Sequence, residues 1–101
     1  MSKEVIFGFE DSLGKRIGYS VWCPGCERYH GIWVYSPNPT TGAKWKFNGN
    51  LVKPTFSPSL HVERGTKSTC HSYIRDGNWE FLPDCHHKLK GQTVPLVPIR
   101  D

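Results

Sequence analysis

The sequence predicts a mainly β fold of short antiparallel strands and hairpins, on three observations. Gly, Pro or Asn clusters recur at ~8–12-residue spacing, the rhythm of short strands and turns rather than of helices. Aromatic residues supply 13% of the 101 residues against a single Met, a bias toward pleated, half-buried surfaces. Asp76-Gly77 separates two alternating segments and supplies the positive φ angles of a two-residue hairpin turn. Residues 1–101 are expected to form one domain with a modest core. A chain this short keeps much surface for its volume and benefits from a cross-link or a metal.

Taken in order, residues 5–9 read as a first strand and 16–22 as a second, across a polar turn with Asp11, Ser12 and Gly14. Residues 30–35, His-Gly-Ile-Trp-Val-Tyr, form a third because they are aromatic and β-branched. Two prolines and a glycine make 36–42 a loop. Trp45-Lys46-Phe47 is a short alternating strand closed by Asn48-Gly49-Asn50. Residues 53–60 carry two prolines and read as extended and irregular, a rigid loop available for recognition. In the hairpin, Arg75 should face Asn78, Ile74 face Trp79, and Ser72 face Phe81. Alternation then puts Cys70, Ile74, Trp79 and Phe81 on the apolar face and His71, Tyr73, Arg75 and Glu80 on the other. Residues 84–90 are expected to make a short helical turn stopped by Gly91, before a last strand at 93–97.

No apolar run approaches the ~20 residues of a membrane span. The first residues, Met1-Ser2-Lys3-Glu4-Val5, show no secretory signal, so a cytoplasmic location is expected. In that reducing compartment the four cysteines read as metal ligands rather than disulfides. The net charge of +4 is scattered, which permits nucleic acid without demanding it.

Cys23-Pro24-Gly25-Cys26 is the sharpest motif. Pro and Gly tighten the turn so that both sulfurs face one tetrahedral ion, and the strand-like residues that follow argue against a redox helix. Cys70, on the inward hairpin face, and His87, just beyond the returning strand, are the expected remaining ligands. The result would be a closed Cys₃His Zn²⁺ site and a zinc-ribbon-like fold with a zinc knuckle. His71 is a weaker candidate because one flat strand turns it away from Cys70. Cys85 could replace His87, and His30 reaches the knuckle's neighbourhood.

Two other chemistries stay open. His30, His71 and His87, if they converge, would hold a hydrolytic metal with Asp84 or Glu80 as base. Trp33, Tyr35, Trp45 and Phe47 among Lys44, Lys46 and Lys53 would suit a nucleic-acid-binding zinc module. Ser57 and Ser59, between prolines, read as turn-capping hydroxyls.

The blocks Cys23-Pro24-Gly25-Cys26 with His30, Trp45-Lys46-Phe47-Asn48-Gly49 and Lys53-Pro54-Thr55-Phe56-Ser57-Pro58-Ser59-Leu60 fall in a familiar order. With Cys70-His71-Ser72-Tyr73-Ile74-Arg75-Asp76-Gly77, Asp84, His87 and Gly91-Gln92-Thr93-Val94, the pattern resembles a family of small bacteriophage and prophage proteins. Some members carry an "ammonia monooxygenase" label, which a short chain without membrane spans does not fit. The resemblance spans residues 19 to 97 and marks Cys23, Cys26, Cys70, His71 and His87, with His30 as a weaker addition. It implies a phage protein of the host cytoplasm but delivers no biochemical activity. Together with the metal motif, the expected function is a zinc-binding accessory protein that acts by binding and modulates a host or defence component, with the protein partner in the host cell.

Overall fold

The computed structural model describes residues 4–62 and 67–98. Eight strands follow in order: β1 (Ile6–Glu10), β2 (Arg16–Cys23), β3 (Arg28–Trp33), β4 (Lys46–Phe47), β5 (Phe56–Val62), β6 (Cys70–Arg75), β7 (Asn78–Phe81) and β8 (Thr93–Pro95). They form a three-stranded sheet, β1-β2-β3, and a five-stranded sheet, β4-β5-β6-β7-β8. All pairings are antiparallel, and the described residues contain no helix. The mainly β class is therefore the observed one.

The two sheets face each other across one core. The first contributes Ile6, Tyr19, Val21, Cys23 and Ile32, and the second Phe56, Leu60, Cys70, Ile74, Trp79 and Phe81. Trp79 is fully buried, stacks on Phe81 at 5.2 Å, and donates its indole N–H to the Trp22 carbonyl across the sheets at 3.2 Å. Truncating such an aromatic to alanine costs about 3–5 kcal/mol.

The β6–β7 hairpin has the expected register, with Ser72 opposite Phe81, Ile74 opposite Trp79 and Arg75 opposite Asn78. Asp76 and Gly77 take φ values of 49° and 81°. Cys70, Ile74, Trp79 and Phe81 are all buried, so alternation sorted the two faces as expected.

Three expectations need correction. Residues 53–60 are not a free recognition loop, because 56–62 form β5, an interior strand between β4 and β6. Pro58 is tolerated there at an irregular stretch of the ladder, where the missing N–H is not needed. Residues 84–90 form successive turns rather than a helical turn, closed by bonds such as Lys90 N–H to the His87 carbonyl (3.1 Å). The last strand ends at Pro95, short of the expected 97.

The aromatic and lysine residues do not share one binding strand either. Trp33 packs edge-on against Phe9 (5.4 Å) on the outer face of the first sheet, whereas Trp45 and Phe47 pack against the core.

Candidate functional site

Two clusters of reactive side chains sit back to back at the start of β6. The inner one is built of thiols. Cys23 ends β2, and Pro24-Gly25 then turns the chain so that the Cys26 N–H donates to Cys23 Sγ at 3.3 Å. The Glu27 N–H closes the turn on the Cys23 carbonyl at 2.8 Å. A Cβ at position 25 would fall on the His87 ring, so glycine there lets the imidazole lie directly over the turn. Cys70 opens β6 and is fully buried.

The sulfurs of Cys23, Cys26 and Cys70 and a ring nitrogen of His30 lie within 4.8 Å of one another, as do ligand atoms of Cys70, Cys85 and His87. His87 Nε2 is 3.6 Å from Cys70 Sγ and 3.9 Å from Cys23 Sγ, while its Nδ1 takes the Leu89 N–H at 3.2 Å. His86 Nε2 approaches Cys26 Sγ at 3.5 Å. These cysteines and histidines could hold a metal ion.

The thiols are electrostatically unequal. A hydrogen bond from Cys70, then one from His30 and the Cys26 N–H, lowers the Cys23 thiol to about 3 against the opposing pull of burial. Burial, then the charge on Cys23, raises Cys26 to about 11. Cys70 is raised because its proton is held by Cys23, with burial adding to the effect. Among these thiols Cys23 is thus the most acidic, and a bound cation would favour loss of the protons from its neighbours as well.

The outer cluster faces solvent on the other side of the same strands. Between the pairs Phe56–Ile74 and Leu60–Ser72, β5 advances four residues while β6 advances two. Ser57, Pro58 and Ser59 therefore bulge from the ladder, with a cis peptide bond between Ser57 and Pro58. Bulges re-aim side chains and recur beside active sites. The Trp45 indole N–H donates to the Ser59 carbonyl at 3.3 Å.

The Ser59 hydroxyl lies 3.1 Å from His71 Nε2, and His71 Nδ1 lies 3.1 Å from Asp84 Oδ2. That hydrogen bond from His71 holds the Asp84 carboxyl below its ordinary range. Nδ1–H then points to Asp84, which leaves the Nε2 lone pair toward the Ser59 hydroxyl. The His71 main chain is clamped from behind by Cys85, whose Sγ accepts the His71 N–H at 3.1 Å and donates to the His71 carbonyl at 3.2 Å. On the open side the His61 ring stacks on His71 at 4.2 Å, nearly parallel at 5°.

Of the expected residues, Cys23, Cys26 and Cys70 come together with His30, while His87 groups with Cys70 and Cys85 and its Nε2 also lies 3.9 Å from Cys23 Sγ. His30, His71 and His87 do not converge into one catalytic centre, because His71 points to the opposite face, where it meets Ser59 and Asp84. Glu80 is paired to Arg75 at 3.2 Å rather than to a histidine. Asp84 does reach His71, with its Oδ2 3.1 Å from Nδ1. Ser59 was expected only to cap a turn and His61 only to be an ordinary strand residue, so neither was expected at a site. The only available signal for Ser59 was the bulge, which needs strand pairing to be seen.

A hydroxyl, an imidazole and a carboxylate joined in this order form the charge arrangement of a serine hydrolase. The family model described as "Bacterial ubiquitination-like system serine protease (BubE)" matches residues 4–82, and the chain belongs to that family. Neither a curated protein nor a solved structure matches it. The family overturns the expected function. A serine protease of a bacterial system is described where a phage-encoded zinc accessory protein acting by binding was expected, and the metal-hydrolase and nucleic-acid alternatives fall with it. Expectation failed because the metal motif was read as the purpose of the molecule. No helix among the described residues is long and apolar enough to cross a membrane.

Proposed function

We propose that this chain is a serine protease in which Ser59 is the nucleophile, His71 the general base and Asp84 the residue that orients and stabilises His71. Its substrate would be a protein of a bacterial ubiquitination-like system, in line with the family's description. The observation that carries this reading is the pair of 3.1 Å contacts linking Ser59, His71 and Asp84. Neutral His71 takes the Ser59 proton at Nε2 as the oxygen attacks the scissile carbonyl. The same proton then passes to the leaving amine as the acyl–serine ester forms. Water, deprotonated by His71, hydrolyses that ester and releases the carboxylate. Asp84 stays ionised throughout and stabilises the imidazolium. The test is labelling by a fluorophosphonate. Wild type should gain one covalent adduct on Ser59, and Ser59→Ala none. Equal labelling of both would sink the assignment.

The inner cluster we read as a structural Zn²⁺ site held by Cys23, Cys26, Cys70 and His87. Three sulfurs and an imidazole are the donors such a closed site uses, and a backbone N–H on Cys23 Sγ is the second layer that steadies a thiolate. When bound, the ion would tie the turn after β2 to the start of β6. Metal content of His87→Ala against His30→Ala tests the fourth ligand: loss of zinc in the first alone supports it, and loss in the second alone replaces it by His30.

A further inference from the structure

The outer cluster has a property that the protease reading does not use. His61, His71 and Asp84 each offer a ligand atom, and these atoms lie within 4.8 Å of one another. One pair, His71 Nδ1 and Asp84 Oδ2, is separated by 3.1 Å. Two ligands on a tetrahedral zinc, each bonded at ~2.0–2.2 Å, stand roughly 3.3 Å apart. The spacing that makes a good hydrogen bond here is therefore also close to an edge of a metal's coordination shell. Two imidazoles and a carboxylate are a donor set that suits zinc.

The surroundings admit an ion. His61 is exposed, and the side chain of Asp84 is 55% exposed. The His61 ring is already parallel to His71 and held at its edge by Thr69 Oγ1, 3.0 Å from Nε2. A modest rotation of an exposed ring would bring a nitrogen toward the other two ligands.

We propose that His61, His71 and Asp84 form a second, solvent-open Zn²⁺ site whose occupation switches the protease off. The inhibition rests on the serine protease reading, whereas the ion site does not. An ion at this position binds His71 Nδ1 and an Asp84 oxygen, so the imidazole proton moves from Nδ1 to Nε2, where it faces the Ser59 hydroxyl and Nε2 can no longer accept that hydroxyl's proton. No bond to substrate is made or broken. The ion simply competes with the hydrogen bond that arms the nucleophile, and its removal restores that bond. His61 is then the residue that distinguishes this site from an ordinary Ser–His–Asp arrangement, since it is the ligand the catalytic reaction does not require.

The experiment has two arms on full-length, zinc-loaded protein. In the first, Zn²⁺ is titrated against wild type, Ser59→Ala, His61→Phe and Asp84→Asn, and bound ions are counted by native mass spectrometry and calorimetry. Wild type and Ser59→Ala should take one ion more than His61→Phe and Asp84→Asn, or bind it at least tenfold more tightly. His61→Phe keeps a ring for stacking, and Asp84→Asn guards against a misfolded histidine variant. An extra ion bound equally by all four proteins would overturn the site, as would an extra ion that follows Cys26 and His86 instead.

The second arm compares fluorophosphonate labelling with and without Zn²⁺ at the concentration that fills the extra site. Wild-type labelling should slow at least tenfold, and dilution to a Zn²⁺ concentration that empties the extra site should restore it. The ratio with and without zinc should be near one for His61→Phe, whatever its own basal rate. Wild-type labelling unchanged at full occupancy would overturn the switch. Absence of labelling in every sample would instead overturn the protease reading. The ion count would still support or reject the site.

Discussion

Cys70 and His71 are neighbours in sequence yet belong to opposite environments. Cys70 looks into the core with Cys23, Cys85 and His87 around it, and His71 looks outward to Ser59, Asp84 and His61. Asp84 and Cys85 repeat the arrangement, one on the outer cluster and the other buried behind it. The inner cluster is dry and closed, suited to holding shape, whereas the outer one is wet and open, suited to reaction. Because His71 and Asp84 are each bonded to a buried cysteine through the chain, the interior sets the position of these two groups.

Perturbing the two clusters separately sharpens that contrast. The largest effect should follow removal of the metal. Chelation at neutral pH is expected to abolish the cooperative thermal transition and fluorophosphonate labelling together, since binding energy at such a site is folding energy. Survival of either signal without metal would uncouple the clusters. Ser59→Ala should do the reverse, lowering turnover by roughly a million-fold while Tm and metal content remain at wild-type values.

Asp84→Asn should reduce turnover by about ten-thousandfold, as loss of the orienting carboxylate does elsewhere. Its folded value is depressed by His71, so its contribution to stability is complete above the ordinary carboxylate value of about 3.9 and fades as pH falls through the lower folded value. The stability gap between wild type and Asp84→Asn should therefore be flat at neutral pH and close only in strong acid, a trend that denaturant titrations at successive pH values will follow.

The smallest effect is a proton count. The Cys23 thiol is lowered by its neighbours, while Cys26 and Cys70 are raised. Zinc loading at neutral pH should release about two protons from the thiols rather than three, measurable by calorimetry in buffers of different ionisation enthalpy. Three released protons would show that Cys23 is an ordinary thiol without the ion.

The contrast also explains what the sequence could and could not disclose. Cys23 and Cys26 are set by a two-residue turn, so their spacing is visible in the letters. Cys70 and Trp79 followed from alternation around Asp76-Gly77, because a tight turn fixes register and register fixes faces. Ser59, His71 and Asp84 come from a bulge, a strand and a turn, and triads of this kind have no fixed order or spacing along a chain. The bulge itself depends on how β5 pairs with β6, which no local propensity encodes. The two prolines that disguised β5 as a loop concealed the setting of Ser59 as well.

The back-to-back arrangement also restricts how this gene can change length. Inserting or deleting one residue between Cys70 and the Asp76-Gly77 turn would exchange the faces of the residues on the altered side. Cys70 would be turned toward water and His71 toward the core, disabling both clusters in one event. The Asn38-to-Gly42 turn, joined by its own short hydrogen bonds and remote in the chain from both clusters, carries no such burden. Inherited length variation should therefore collect in that turn and be absent from the six residues of β6.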